Sequence, residues 1–244
     1  MMVILAEILR FAKRGRIIVG NNPAFPGRGY FMMSEPVRVK VCGLRSLENS
    51  LECVEAGVDM LGFNFWPGSK RYISFLEAAG WLGELEGKVE RVALFVNAER
   101  EEILEVWSSG LVDLVQIHGD ESPAFCQELS SVGVAVMRAT RVGSEDDLDR
   151  VADYPGDRIL LDASVPGHYG GSGQSFDWKL ARKASERFSD RKVLISGGLK
   201  PENVVQAVSE GNPWGIDVAS GVESAPGVKD KTLICELLEQ LRSS

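Results

Sequence analysis

Cys42 closes the run Val37-Arg38-Val39-Lys40-Val41-Cys42, and Asp162 closes Arg158-Ile159-Leu160-Leu161-Asp162. A thiol and a carboxyl at the ends of two apolar strands form a proton-handling pair if one fold brings both ends to the same rim. A thiol is a useful base only as thiolate, and an unperturbed one is mostly protonated at neutral pH. Lys40 lies two residues before Cys42, on the same face of the strand, so its ammonium is expected beneath the sulfur, favouring the thiolate. Asp217, in the last strand, is the expected counter-ion of Lys40. A carboxyl set against apolar strands tends toward a raised pKa, so Asp162 is expected to hold a proton it can donate. The plainer alternatives are a small buried cysteine and an aspartate that caps the loop after it.

Three glycine-bearing turns follow late strands: Gly170-Gly171-Ser172-Gly173, Ser196-Gly197-Gly198 and Ser220-Gly221. Glycines let backbone N–H groups approach an anion closely, and a phosphate is the expected guest. None of the three ends in Gly-Lys-Ser/Thr, which favours a sugar phosphate over a nucleoside triphosphate. The glycine-rich stretch after Asp162 is long enough to serve as a ligand-binding lid. Arg71, after the second strand, carries a guanidinium that forks naturally onto a carboxylate, although a solvated surface arginine is the competing reading. His118 ends the fourth strand, as a donor near the substrate or as a satisfied rim histidine. Trp66 is placed to line the substrate mouth, whereas Trp81, Trp107, Trp178 and Trp214 read as packing.

The elements that must position these groups alternate with little slack. Strand-like runs fall at 37–42, 60–65, 92–96, 111–116, 135–139, 158–161, 192–195 and 215–218. Most are nearly continuous apolar runs, as in parallel strands covered on both faces. Helical patterns lie between them. Leu47, Leu51 and Val54 recur on one helix face, with Ser46 as N-cap and Gly57 past the end; Ser144, Pro201 and the stretch 233–241 mark later helices. Eight such units in ~210 residues predict a single (β/α)8 barrel of the TIM type, near the lower size limit of that fold. The first turn, Cys42-Gly43-Leu44-Arg45-Ser46, lacks the G-x-G-x-x-G of an open dinucleotide-binding sheet.

The totals narrow the partners. A formal net charge of −8 in 244 residues argues against a nucleic-acid surface but leaves room for a small anionic substrate. Four cysteines show no C-x-x-C spacing and only two histidines exist, so neither a disulfide framework nor a histidine-rich metal site is expected. No run is long enough for a membrane span, and a cytoplasmic monomer or homodimer is expected. Residues 1–32 read as an extension outside the catalytic fold, such as an over-extended gene start would leave, with 33–244 forming the barrel; a short docked helix is the alternative.

From about Val37 to the C-terminal helix the chain resembles the phosphoribosylanthranilate isomerase family of tryptophan biosynthesis. The resemblance rests on Lys40-Val41-Cys42-Gly43, Gly62-Phe63-Asn64-Phe65, Ser69-Lys70-Arg71, Phe95-Val96-Asn97 and Gln116-Ile117-His118-Gly119. It continues through Asp162, Gly170-Gly171-Ser172-Gly173, Phe176-Asp177-Trp178, Gly197-Gly198-Leu199, Pro201-Glu202-Asn203 and Asp217-Val218-Ala219-Ser220-Gly221-Val222-Glu223. Gln174 and Ala219 depart from the Lys and Ser more often expected there. The resemblance implies an Amadori rearrangement of N-(5′-phosphoribosyl)anthranilate without metal or redox cofactor. Asp162 would protonate the furanose oxygen, and Cys42 as thiolate would remove the C2′ proton. Arg71 would hold the anthranilate carboxylate, and backbone around Gly173, Gly197, Gly198 and Gly221 the phosphate. A sugar-phosphate epimerase and a non-catalytic sugar-phosphate-binding barrel are the rival readings.

Overall fold

A computed structural model describes residues 16–20, 30–34, 36–163 and 177–244. Contacts divide the chain into Met1–Val37 and Arg38–Ser244. The described part of the first unit is an antiparallel pair, β1 (Arg16–Gly20) with β2 (Tyr30–Ser34). The expected boundary at 32/33 therefore falls inside a strand, because Met32, Met33 and Ser34 pair with Ile18, Ile17 and Arg16.

The second unit is a closed eight-stranded parallel barrel: β3 (Arg38–Cys42), β4 (Met60–Asn64), β5 (Glu90–Phe95), β6 (Leu114–Ile117), β7 (Val136–Val142), β8 (Arg158–Ala163), β9 (Lys192–Ser196) and β10 (Gly215–Val218). Closure pairs β10 with β3, setting Asp217 opposite Lys40. Helices α1 (Leu47–Ala56), α2 (Phe75–Ala79), α3 (Arg100–Ser108), α4 (Pro123–Ser131), α5 (Asp147–Ala152), α6 (Trp178–Arg187), α7 (Val204–Gly211) and α8 (Lys231–Ser243) alternate with the strands. A two-stranded hairpin, β11 (Glu223–Ala225) and β12 (Val228–Lys229), stands between β10 and α8.

Local chemistry sets the bounds. Ser46 Oγ accepts the Asn49 N–H at the start of α1, and Gly57 closes that helix with φ +95°. Strand β6, the fourth of the barrel, starts at Leu114, three residues later than the apolar run at 111 predicts. Asp113 is taken up instead as a clamp, accepting from the Arg91 N–H at 2.8 Å and from its guanidinium at 2.9 and 2.8 Å. Asp59 holds Val39 N–H and Arg38 in the same way before β4. In the other direction β7 outruns its apolar run, since Thr140, Arg141 and Val142 pair with Leu161, Asp162 and Ala163. Helix α5 begins at Asp147, later than Ser144 suggests, because the Gly143 and Ser144 N–H groups donate to the Asp147 carboxylate. Helix α7 likewise starts at Val204, after the turn that holds Pro201.

The interior of the barrel is graded. Met60, Val92, Leu114, Met137, Ala139, Leu160 and Leu194 form an apolar plug, with Trp214 packed against it. Each is followed two or four residues later by a residue nearer the carboxyl-terminal mouth, on the same inward face. Among the described residues no helix is long and apolar enough to cross a membrane.

Candidate active site

The inward positions nearest the mouth are Cys42, Asn64, Leu94, Val96, His118, Asp162, Ser196, Asp217 and Ala219, and all line one cavity with Trp66, Ser69, Arg71, Gly197, Gly198, Leu199 and Ser220. Strand alternation alone selects this set: every second residue faces in, and the last turn of each strand meets the opening. Cys42 and Asp162 thus share one cavity at one end of the barrel.

Lys40 is fully buried, and its ammonium donates to Asp217 Oδ1 at 2.8 Å. Burial lowers the Lys40 pKa, but Asp217 and Cys42 outweigh it and hold the side chain charged. Burial drives the Cys42 pKa upward, Lys40 and Lys229 pull it back only in part, and Asp217 pushes it further up. The resting group is therefore a thiol beside an ammonium, whereas the sequence reading anticipated a thiolate. Gly62 sits opposite Cys42 in the register. A Cβ there would lie 2.8 Å from Cys42 Sγ and 3.0 Å from Lys40 Nζ, so the missing side chain is the space these two groups occupy.

Asp162 is buried, and its Oδ1 accepts the Ser196 hydroxyl at 2.7 Å. Its Oδ2 lies 3.3 Å from His118 Nε2, while Gln116 Nε2 approaches His118 Nδ1 at 3.0 Å. Burial raises the Asp162 pKa, yet His118, Ser196 and the charge of Arg141 together outweigh it and leave the value lowered. The expected raised pKa is corrected accordingly: apolar strands surround Asp162, but His118 after β6 and Ser196 at the end of β9 supply polar partners that sequence neighbours do not show.

Arg71 reaches the cavity, but its Nε and Nη2 make a fork onto Glu223 at 2.7 Å each. Lys229, with a fully buried side chain, donates to Glu223 Oε1 at 2.6 Å and to Ala219 O at 3.1 Å. Burial lowers the Lys229 pKa, and Glu223 opposes that shift without cancelling it. Gly197 and Gly198 adopt φ +105° and +64°, a left-handed succession open to glycine and suited to turning backbone N–H groups toward an anion. Ser220 lines the cavity beside them. Gly221 allows close packing: a Cβ there would meet Leu199 O at 1.9 Å. Gly171 and Gly173 lie outside the described residues. Among the described residues no group of His, Cys, Asp and Glu is arranged to hold a metal ion.

The family profile described as N-(5'phosphoribosyl)anthranilate (PRA) isomerase matches residues 39–240, nearly the whole barrel. The chain belongs to this isomerase family. The N-(5'-phosphoribosyl)anthranilate isomerase of Trichlorobacter lovleyi is 42% identical over 208 residues, covering 85% of this chain and 99% of that one. The crystal structure of the Thermotoga maritima phosphoribosyl anthranilate isomerase is similar with a TM-score of 0.77 and 40% identity, covering 85% of this chain and all of that one. A further family structure, in complex with reduced 1-(o-carboxyphenylamino)-1-deoxyribulose 5-phosphate, gives a TM-score of 0.74 at 39% identity over 85% of this chain and 100% of that one.

Within this isomerase fold, sequence reasoning missed the contacts that hold Cys42, Asp162 and Arg71 in place. Gly62 carried a usable signal, a glycine midway along an apolar strand, which marks close approach of another group. Ser196 was read only as part of a phosphate turn, although it donates to Asp162. Glu223 and Lys229 had no local signal, because their partner Arg71 lies on a loop at the far end of the sequence.

Proposed function

We propose that this isomerase catalyses the Amadori rearrangement of N-(5′-phosphoribosyl)anthranilate to 1-(2-carboxyphenylamino)-1-deoxyribulose 5-phosphate in tryptophan biosynthesis, with Asp162 as general acid and Cys42 as general base. The observation that carries the reading is the convergence of the thiol and the carboxyl on one cavity whose rim holds Arg71 and the Gly197-Gly198 turn. The relative that binds the reduced form of this product supports a ligand with both an aryl carboxylate and a sugar phosphate.

The chemistry follows from the groups. Protonation of the furanose oxygen by Asp162 lets the substrate nitrogen push the ring open to a Schiff base. Cys42 then removes the C2′ proton, and the electron pair flows through the iminium to give an enolamine, which tautomerises to the ketone. Arg71 meets the anthranilate carboxylate, and the turns at Gly197-Gly198 and Ser220 meet the phosphate. Lys40, held by Asp217, faces the thiolate as it forms. The four cysteines are free thiols, which suits a reducing compartment such as the cytoplasm.

Fluorescence loss from freshly made phosphoribosylanthranilate tests the assignment directly. Cys42→Ala and Asp162→Ala are each expected to lower kcat by ~10²–10⁴-fold with melting curves unchanged, the range for a lost acid–base group. Turnover close to that of the unmodified chain in either variant would remove its role.

A further inference from the structure

Three charged side chains from two loops meet at one edge of the cavity. Arg71 comes from the loop after β4, and Glu223 and Lys229 come from the two strands of the β11–β12 hairpin. Glu223 Oε1 accepts from Arg71 Nε, Lys229 Nζ and the Gly227 N–H, while Oε2 accepts from Arg71 Nη2. Lys229 is itself clasped from α1: its N–H donates to Asn49 Oδ1 at 2.6 Å, and its carbonyl accepts from Asn49 Nδ2 at 2.9 Å. The stem of Arg71 fills the space over Gly43, where a Cβ would lie 2.3 Å from Arg71 Cδ. Ser69 Oγ accepts the Arg71 N–H at 3.0 Å and is itself held by Asn64 Nδ2.

A guanidinium has two edges able to fork onto a carboxylate. Glu223 occupies the Nε/Nη2 edge, and among the described residues Nη1 has no hydrogen-bond partner, which leaves the Nη1/Nη2 edge for a ligand. A lone Arg71–Glu223 pair would be neutral and would attract a second carboxylate only weakly. Lys229 changes that balance: two cations share one anion. The remaining buried pair nearby, Lys40 with Asp217, is balanced within itself.

We propose that Glu223 and Lys229 are positioning residues for substrate selection: Glu223 locks one edge of Arg71, and Lys229 offsets Glu223 so that the trio keeps a net positive charge for the aryl carboxylate. The inference rests on Arg71 as the carboxylate clamp, and it explains how an arginine already engaged by a glutamate can still serve as one.

The test compares the unmodified chain, Lys229→Met and the double variant Glu223→Gln/Lys229→Met on phosphoribosylanthranilate and on the carboxylate-free phosphoribosylaniline. Lys229→Met is expected to raise KM for the carboxylate substrate by about tenfold or more while leaving KM for the aniline substrate unchanged, a split that general loosening of the hairpin, or a kcat change through Cys42 common to both substrates, would not produce. The double variant restores the charge count and is expected to recover at least ~3-fold of that loss. Equal penalties on both substrates, or no recovery in the double variant, would overturn the inference. If Lys229→Met does not fold, Glu223→Gln alone decides: unchanged selectivity between the two substrates overturns it, and altered selectivity supports it. An unmodified chain inactive on phosphoribosylanthranilate would count against the proposed function itself.

Discussion

Two side chains carry the proposed reaction, and each rests in the protonation state opposite to its task. Burial keeps Cys42 a thiol, while His118 and Ser196 keep Asp162 a carboxylate. The working form, thiolate with carboxylic acid, holds the same number of protons as the resting form, so it is a tautomer of it in small amount. Its fraction does not change with pH between the two titrations. The sign follows: acid removes activity only below the lowered carboxyl pKa, and alkali only above the raised thiol pKa. A kcat/KM profile flat from about pH 5 to pH 9 is expected. An alkaline limb centred near neutrality would show instead that Asp162 titrates there as a conventional acid. Cys42, Lys40, Asp162 and Asp217 were legible in the chain because strand ends and i, i+2 spacing are local facts. The direction of the Asp162 pKa was not, because Ser196 and His118 reach it from other strands.

At the scale of elements, one strand position controls the geometry of the base. Gly62→Ala in β4 places a methyl within 2.8 Å of Cys42 Sγ and within 3.0 Å of Lys40 Nζ. One of the two must shift, so kcat is expected to fall by roughly 10-fold or more with only a small change in melting temperature. A full-rate Gly62→Ala enzyme would mean that the thiol has room to spare. Strand positions were readable from apolar runs, but their ends were not. The run beginning at Leu111 hid the clamp formed by Asp113, and the apolar run ended at Ala139, so Thr140-Arg141-Val142 joined the strand only through its partner Leu161-Asp162-Ala163. Pairing supplied what composition lacked.

For the molecule as a whole, the barrel accounts for the proposed chemistry without the first unit. A chain starting at residue 36 is expected to keep kcat/KM within ~2-fold and to melt within a few degrees of the full chain. Loss of activity on that truncation would give the leading residues a part in the enzyme. Barrel closure was legible from the count of alternating runs, whereas the stretch holding the β1–β2 pair was read only as an extension. The seam between β10 and β3 is also where Lys40 meets Asp217. Until the final strand docks, a newly made chain would have to shelter a naked ammonium inside an unfinished wall, at heavy cost. Completion of the cylinder and neutralisation of that ammonium are thereby one event, and a chain cut short before its last strand would be left with an unpaired cation in its wall.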